Sequence, residues 1–303
     1  MLINEKTRVL IQGITGREAS KVCEEMQAYG TKVVAGVTPG KGGQEILGVP
    51  VYDTVKEALK AHPEINATVV YTPPFASRDA ALEAIEAGIP LVNIITERIP
   101  VLDTAKVLQK AKEKNIKVVG PTSVGIINPG KCKLGPIGGN NPDRVFAKGN
   151  IAVISKSGSM TNETSWLIRQ AGFGQSVAMG VGGDLLAGYA FPDALLDLEN
   201  DKETEAIVLF GELGGSYEEQ AAELIKSKKV TKPVVAFIAG TSADHMPQGM
   251  QLGHAGAIIQ GGTGSPAAKI KALREAGALV ANFHHEVPDL LMKVVKPKLT
   301  VKK

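Results

Sequence analysis

Aromatic residues are scarce in this sequence, at 4% of 303 positions. Neither sign of charge is concentrated: 34 Lys and Arg against 31 Asp and Glu leave a net charge of +3 spread along the chain. A nucleic-acid surface needs clustered basic residues and stacking rings, so no nucleic-acid partner is expected. Cysteine is nearly absent. Cys23, in a helical pattern, and Cys132, in a loop, are too few for a disulfide framework, and both are expected to be reduced. Long apolar runs are missing too. None approaches membrane-spanning length, and "MLINEKTRVLIQG" enters a strand directly, without the charged and then apolar regions of a secretory signal. No membrane partner is expected, the expected location is cytoplasmic, and no metal site is expected within the chain.

What the chain does have is 44% hydrophobic content without low-complexity tracts, enough for a sizeable core and for two domains of ordinary size. Short runs rich in Val and Ile alternate with helical patterns. Arg8 to Gln12, Lys32 to Val37, Ala67 to Tyr71, Leu91 to Ile95 and Lys117 to Gly120 read as strands. Arg17 to Tyr29 reads as a helix stopped by Gly30. This βαβ rhythm predicts an α/β fold with a parallel, doubly wound sheet. A second set begins after the Gly-, Pro- and Asn-rich passage "GPIGGNNPDRVFAKGN": Ile151 to Ser155, Ser176 to Val181, Ala206 to Phe210, Val234 to Ala239 and Ala278 to Val280. The division is therefore a first domain over residues 1–125, a linker over 126–149 and a second domain over 150–303. In open α/β sheets ligands bind beyond the carboxyl ends of the strands, and those loops are rich in Gly here.

In the first domain, "QGITGREAS" follows the first strand and opens a helix, so Gly13 and Gly16 stand where backbone amides and the helix dipole can meet a phosphate. As a dinucleotide fingerprint it is poor. It reads G-x-x-G-x-x-A, and the second strand ends in "GVTPGKGG" with no acid for a ribose hydroxyl. Lys41 and the missing acid favour a phosphorylated ligand other than NAD; the plainer alternative is two glycine turns that merely close βα connections. "YTPP", with Pro73, and "IITERIP", with Ile95 and Glu97, supply two further strand ends. A carboxylate such as Glu97 more often caps a helix than binds a ligand.

In the second domain, "VISKSGSMTNE" sets Ser155, Ser157, Ser159, Thr161 and Asn162 across a strand-to-helix junction, with Gly158 among them. One cap needs one hydroxyl, so an anion at this helix N-terminus accounts better for the cluster. "VAMGVGGDLLAGY", with Gly182, Gly183 and Asp184, and "VLFGELGGSYEE", with Glu212, are two more Gly-rich strand ends. Asp184 is open to reading as a turn residue. Glu212 ends a buried-looking strand, one strand before the segment leading to His254 in "GMQLGHAGAII", whose small neighbours cannot enclose an imidazole. An imidazole neutral at one nitrogen, with its other N–H held by a carboxylate, can attack a phosphoryl group. Phosphohistidine then needs amide donors, helix N-termini and open space.

At "GHAGAII", "GELGGS", "VTPGKGG", "QGITG" and "SKSG" the sequence resembles the α-subunit of succinyl-CoA synthetase and its relatives, the nucleoside-diphosphate-forming acid–CoA ligases, in order and over essentially the whole chain. The resemblance implies a CoA-binding Rossmann domain followed by a flavodoxin-like ligase domain, and an acid–CoA ligase that works through an acyl-phosphate. It implies that His254 is the phosphohistidine, that Glu212 orients it, and that Ser155, Ser157 and Gly158 cradle the phosphate. Gly16, Arg17, Lys41, Pro73, Ile95 and Glu97 fall along the CoA site, with Cys132 near its thiol end. A β-type, ATP-grasp partner subunit, in an αβ or α2β2 assembly, would bring ATP or GTP with Mg2+, because this chain shows neither an ATP-grasp nor a P-loop pattern.

Within that family, "SKSGSMTNE", "GPTSVG", "KLGPIGG" and "DHMPQGMQLGHAGA" are closer to the ligase region of ATP-citrate lyase and to a citryl-CoA synthetase small subunit than to the "SRSGTLTYE" and "GPNCPG" of succinyl-CoA synthetases. Citrate is therefore the expected acid, with Asn162, Gly182 and Gly183 at its site; Asn162 offers a donor and an acceptor where Tyr is usual. Succinate is the alternative. From another class comes a CoA-binding regulator without turnover, which would need neither His254 nor Glu212. Ala19 departs from the family, which commonly has a third Gly there.

Overall fold

The computed structural model describes residues 2–242, 253–258 and 264–299. The Val- and Ile-rich runs build two sheets of seven strands each among the described residues. The first takes β1 (Arg8–Gln12), β2 (Lys32–Val37), β3 (Glu45–Ile46), β4 (Val49–Tyr52), β5 (Ala67–Val70), β6 (Leu91–Ile94) and β7 (Lys117–Val119). Their spatial order is β3-β4-β2-β1-β5-β6-β7, parallel throughout except for β3 at the edge. The second takes β8 (Gly125–Asn128), β9 (Cys132–Leu134), β10 (Lys148–Ser155), β11 (Gln175–Gly180), β12 (Ala206–Glu212), β13 (Val234–Ala239) and β14 (Leu279–Ala281). Their order is β14-β13-β12-β10-β11-β8-β9, with β10 to β14 parallel and β8 and β9 antiparallel. The first order is that of a Rossmann domain and the second that of a flavodoxin-like one.

Helices α1 (Arg17–Ala28), α2 (Val55–Ala61), α3 (Pro74–Glu86) and α4 (Val101–Lys114) connect strands of the first sheet. Helices α5 (Gly158–Gln170), α6 (Phe191–Glu199), α7 (Tyr217–Lys226), α8 (Pro266–Ala276) and α9 (Val287–Met292) serve the second. Helix α1 shows why they dock: Ala19, Val22, Cys23 and Met26 recur at helical spacing and are its buried stripe. Gly30, at φ +93°, follows it in the left-handed conformation that ends a helix at least cost. Strands β5 and β6 are buried along their whole length, which explains why they read as largely apolar runs rather than alternating ones. Among the described residues no helix is long and apolar enough to cross a membrane.

Residues 126–149, expected as a linker, carry strands rather than a bare connection. Ile126 pairs with Met179 on one side and Leu134 on the other, so β8 and β9 extend the second sheet past β11. Cys132 accordingly lies on β9 and not in a loop. It is 1% exposed, and burial pushes its thiol above the ordinary cysteine range. The Thr31 hydroxyl, just beyond α1, accepts from the backbone N–H of the next residue, Lys133, at 2.9 Å and donates to its carbonyl at 2.7 Å, so β9 is fastened to the first domain.

Candidate active site

Each sheet reverses its winding order at one point, between β1 and β5 in the first and between β10 and β12 in the second, and loops diverge there to leave a crevice. In the second sheet, register sets Ser155 beside Phe210, so the loop after β10 and the last residue of β12, Glu212, emerge together. His254 closes over them. Its Nδ1 lies 2.9 and 2.8 Å from the two Glu212 carboxylate oxygens. A hydrogen on Nδ1 then donates to the carboxylate and leaves the Nε2 lone pair free. This bond raises the basicity of the ring above the ordinary 6.5. Burial opposes it, and the charges of Glu212, Asp184 and Glu97 add to it. The imidazole is 32% exposed and the carboxylate 13%, so the pair is reachable on the histidine side.

The glycines around the ring have structural reasons to be glycine. A Cβ at Gly183 would stand 2.3 Å from His254 Cγ and Nδ1, and the Gly256 N–H donates to the Gly183 carbonyl at 3.0 Å. Gly183 is thus the floor on which the imidazole rests. Gly182, at φ +98°, lies so close to the Pro121 carbonyl that a Cβ would come within 2.0 Å of its oxygen. Asp184 follows, with its carboxyl above the usual range, chiefly through burial and then through Glu97.

A cleft of about 360 Å3 opens in front of the imidazole, between the two domains. Ile95 and Glu97, from the loop after β6, form one wall, and Ser157, Gly158, Ser159 and Asn162, at the start of α5, form the other; Thr122 to Val124 and Pro136 complete it. Six residues expected from sequence for four separate tasks therefore meet in one place: Ile95 and Glu97 for CoA, Ser157 and Gly158 for phosphate, Asn162 for the acid and His254 as phosphoryl acceptor. Among the described residues no side chain caps α5, which leaves its first amides and the positive end of its dipole to suit an anion. Gly158 lets the helix start close to the loop before β8, since a Cβ would be 3.0 Å from the Val124 side chain. Ser155 is fully buried. Its hydroxyl donates to the Ser157 carbonyl at 2.8 Å and accepts from the Ser157 N–H at 3.0 Å, so it shapes the turn from beneath. Asn162 Oδ1 accepts from the Gly138 N–H at 3.2 Å, which ties α5 to the loop after β9.

Gly16, Arg17, Lys41 and Pro73 are exposed at the ends of β1, β2 and β5, outside this cleft. Their segments form a row, following β2, β1 and β5 in the spatial order of the sheet, and the loop after the next strand, β6, lines the cleft. The Thr15 hydroxyl donates to Thr38 Oγ1 at 3.2 Å, joining the loops after β1 and β2, and the Thr96 hydroxyl donates to the Thr72 carbonyl at 2.8 Å, joining those after β5 and β6. Gly16 and Pro73 are the N-terminal caps of α1 and α3, neither with a side-chain cap. Cys132 does not belong to the row, because β9 buries it beneath α1, where a thiol cannot meet a ligand in the cleft. The stretch "DHMPQGMQL", at 244–252, lies outside the described residues.

Sequence reasoning passed over a charged cluster under the site. Glu218 Oε1 is 2.8 Å from Lys156 Nζ, and its other oxygen pairs with Lys269. Glu218 stands in the first turn of α7, where acids commonly answer the helix dipole, so nothing local marks it as buried.

Residues 4–98 match the CoA binding domain family and residues 154–279 the CoA-ligase family. The chain is 47% identical over 296 residues to subunit alpha 2 of an ADP-forming succinate–CoA ligase from Archaeoglobus fulgidus, covering 97% of this chain and 99% of the relative. It is 45% identical over 291 residues to a subunit of an ADP-forming sulfoacetate–CoA ligase from Acholeplasma, covering 96% and 97%. Among solved structures, ATP citrate lyase from Methanothrix soehngenii, in complex with citrate and coenzyme A, superposes with a TM-score of 0.89 at 26% identity, over 100% of this chain and 54% of that one. This chain thus spans about half the length of that lyase. A CoA-binding domain, a CoA-ligase domain and end-to-end identity of this size agree: the chain belongs to the α-subunit family of ADP-forming succinate–CoA ligases.

Proposed function

We propose that this protein is the α-type subunit of an acid–CoA ligase that passes phosphate through His254 to a small carboxylic acid, with succinate as that acid. The observation that carries the reading is the double contact of His254 Nδ1 with Glu212 in a cleft shared with the N-terminus of α5. Glu212 holds the Nδ1 hydrogen, so Nε2 attacks phosphorus. An N–P bond forms as the bond to the nucleoside diphosphate breaks, and Glu212 offsets the positive charge gained by the ring. The α5 amides and the Ser157 hydroxyl face the new phosphoryl group. Attack by the acid then returns a neutral imidazole and gives an acyl-phosphate. The CoA thiol, losing its proton, attacks the acyl carbon, so that a C–S bond forms as the bond to the phosphate oxygen breaks and inorganic phosphate leaves; Gly16, Arg17, Lys41, Pro73, Ile95 and Glu97 are the row of loops for CoA. ATP or GTP with Mg2+ comes through a β-type, ATP-grasp partner, in keeping with relatives named as alpha subunits.

Two readings of the acid compete. Relatives that match end to end at 47% are named for succinate, against 26% identity to the citrate-bound lyase. Citrate is favoured by Asn162, which lines the cleft. Its Oδ1 is engaged by Gly138, however, and the amide nitrogen it keeps to offer suits any carboxylate. We expect succinate to exceed citrate by about tenfold in kcat/KM, the effect of one polar group left unpaired with the wrong acid. Both acids, with sulfoacetate as a third, are to be titrated against the reconstituted complex with CoA and nucleotide in excess, and acyl-CoA followed by hydroxamate trapping. Citrate matching or beating succinate would restore the second reading, and no product from any of the three would overturn the ligase assignment for this site.

A further inference from the structure

Beneath the imidazole and its carboxylate lies a charged cluster that the reading above does not use. Lys156 precedes the cap of α5, Glu218 lies in α7 and Lys269 in α8; they are 6%, 0% and 0% exposed. Besides its two ion pairs, Glu218 accepts the backbone N–H of Glu212 on Oε1 at 3.1 Å. Both ammonium groups donate to the Gly214 carbonyl, at 3.2 and 2.6 Å. Gly214 is pressed in turn against the His254 loop. It has φ +84°, a Cβ there would be 2.0 Å from the Gly256 carbonyl oxygen, and its N–H donates to Gly264 at 2.8 Å. One buried carboxylate therefore reaches four parts of the site: the loop that begins α5, the backbone of Glu212, the seat under the His254 loop, and the helix into which the chain continues after that loop.

Apolar side chains of similar volume would fill this space without the desolvation cost of three ionised groups, and buried ion pairs are seldom kept for stability alone. Sheet pairing governs the chain only as far as Glu212, which pairs with Ala239 at the end of β12. What directs the Glu212 carboxylate beyond that point is its own N–H held by Glu218.

We infer that Glu218, clamped between Lys156 and Lys269, is a positioning residue for phosphorylation of His254: it fixes the backbone of Glu212 and the Gly214 seat so that both Glu212 oxygens meet Nδ1. The inference rests on His254 being the phosphoryl acceptor. The charged groups around the imidazole are Glu212 from β12, Asp184 from the loop after β11 and Glu97 from the loop after β6. Among the described residues only Glu212 bonds to Nδ1. Misdirecting Glu212 therefore lowers the basicity of the ring as well as its reactivity.

The test uses the complex with the β-type partner and labelled nucleotide. Glu218→Gln keeps the shape but loses the charge that holds two ammonium groups. His254 should then label about tenfold more slowly at saturating nucleotide, with the nucleotide KM unchanged, as for loss of a partner that orients a reacting group. The pH midpoint of labelling should move down. Lys269→Met should shift both in the same direction by less. A merely structural role would lower the amount of active protein without moving the midpoint. Where Glu218→Gln does not fold, the pair Glu218→Gln with Lys269→Met, which removes one buried charge of each sign, decides the question. Wild-type rate and midpoint in a folded variant would overturn the inference. Label that persists in His254→Ala would instead overturn the histidine reading, and this inference with it.

Discussion

At the carboxyl end of the first sheet, Gly16, Arg17, Lys41 and Pro73 stand exposed on loops joined by backbone and hydroxyl contacts, whereas at the end of the second, Ser155, Glu212 and His254 are buried or half-buried and each is held by a polar partner. Both ends are Gly-rich and both follow parallel strands, so composition does not separate them. What separates them is where order comes from. A ligand that carries its own phosphates can organise exposed loops when it arrives, and a cation on such a loop has little to hold beforehand. A reacting group has to be aimed before its substrate comes, and that requires buried partners.

The contrast is sharpest at the imidazole, where the largest effects are expected. His254→Ala should abolish acid-labile, base-stable labelling. Glu212→Gln should slow it more than tenfold, an order of magnitude typical of losing an orienting carboxylate. The sign of the pH effect follows from the geometry. Glu212 raises the ring above 6.5, and in the proposed reaction the neutral ring is the nucleophile, so labelling in the wild type should rise with pH through a midpoint above that value. The uncharged amide of the variant cannot support the imidazolium, so the midpoint falls as the plateau drops. An unchanged rate and midpoint would remove Glu212 from the site.

On the open side the effect should be smaller and of another kind. Lys41→Met should weaken CoA binding a few-fold, the ~1 kcal/mol of one charge-assisted contact, with less difference at high salt and no change in His254 labelling. Calorimetric titration checks this, and an unaltered Kd would take Lys41 out of the row. The smallest effect concerns an imperfection in the first sheet. Asn93, in β6, is fully buried, and among the described residues neither of its amide atoms has a partner. Asn93→Val should raise stability to denaturant by about 1 kcal/mol, since it removes an unsatisfied polar group from the interior. A loss of stability would show that the amide is satisfied in solution.

Periodicity made most of the parallel strands legible, because Val- and Ile-rich runs such as "RVLIQ" and "VVAFIA" are buried on both faces. The helix that opens at Arg17 and stops at Gly30 was legible for a different reason, the single apolar stripe of Ala19, Val22, Cys23 and Met26 at helical spacing. Strands β3, β4, β8 and β9 were not legible, because Gly and Pro within or beside them look like loop, whereas β5, β6 and β7, no longer than β4 or β8, stand in a regular βα alternation. The pairing of Glu212 with His254 could be anticipated from two Gly-rich strand ends. The pairings of Lys156 and Lys269 with Glu218 could not, because they join residues 62 and 51 positions apart and nothing in a local pattern tells a buried charge from a solvated one. Gly183 was readable as a loop glycine, but its reason, a ring brought in from residue 254, is wholly tertiary.

The hairpin of β8 and β9 bears on how this chain can be divided. It precedes the second sheet in sequence yet completes that sheet's edge, while Lys133 on β9 reaches back to Glu25 of α1 at 3.2 Å, the lysine fully buried and the glutamate nearly so. Severing the polypeptide before residue 150 would strip β11 of its neighbour and bare an unpaired edge. Severing it at 125 would uncover α1 and leave Lys133 without its carboxylate. The hairpin thus binds the two halves to each other. A recombination that moved either one to another protein would have to carry the hairpin and rebuild its seat.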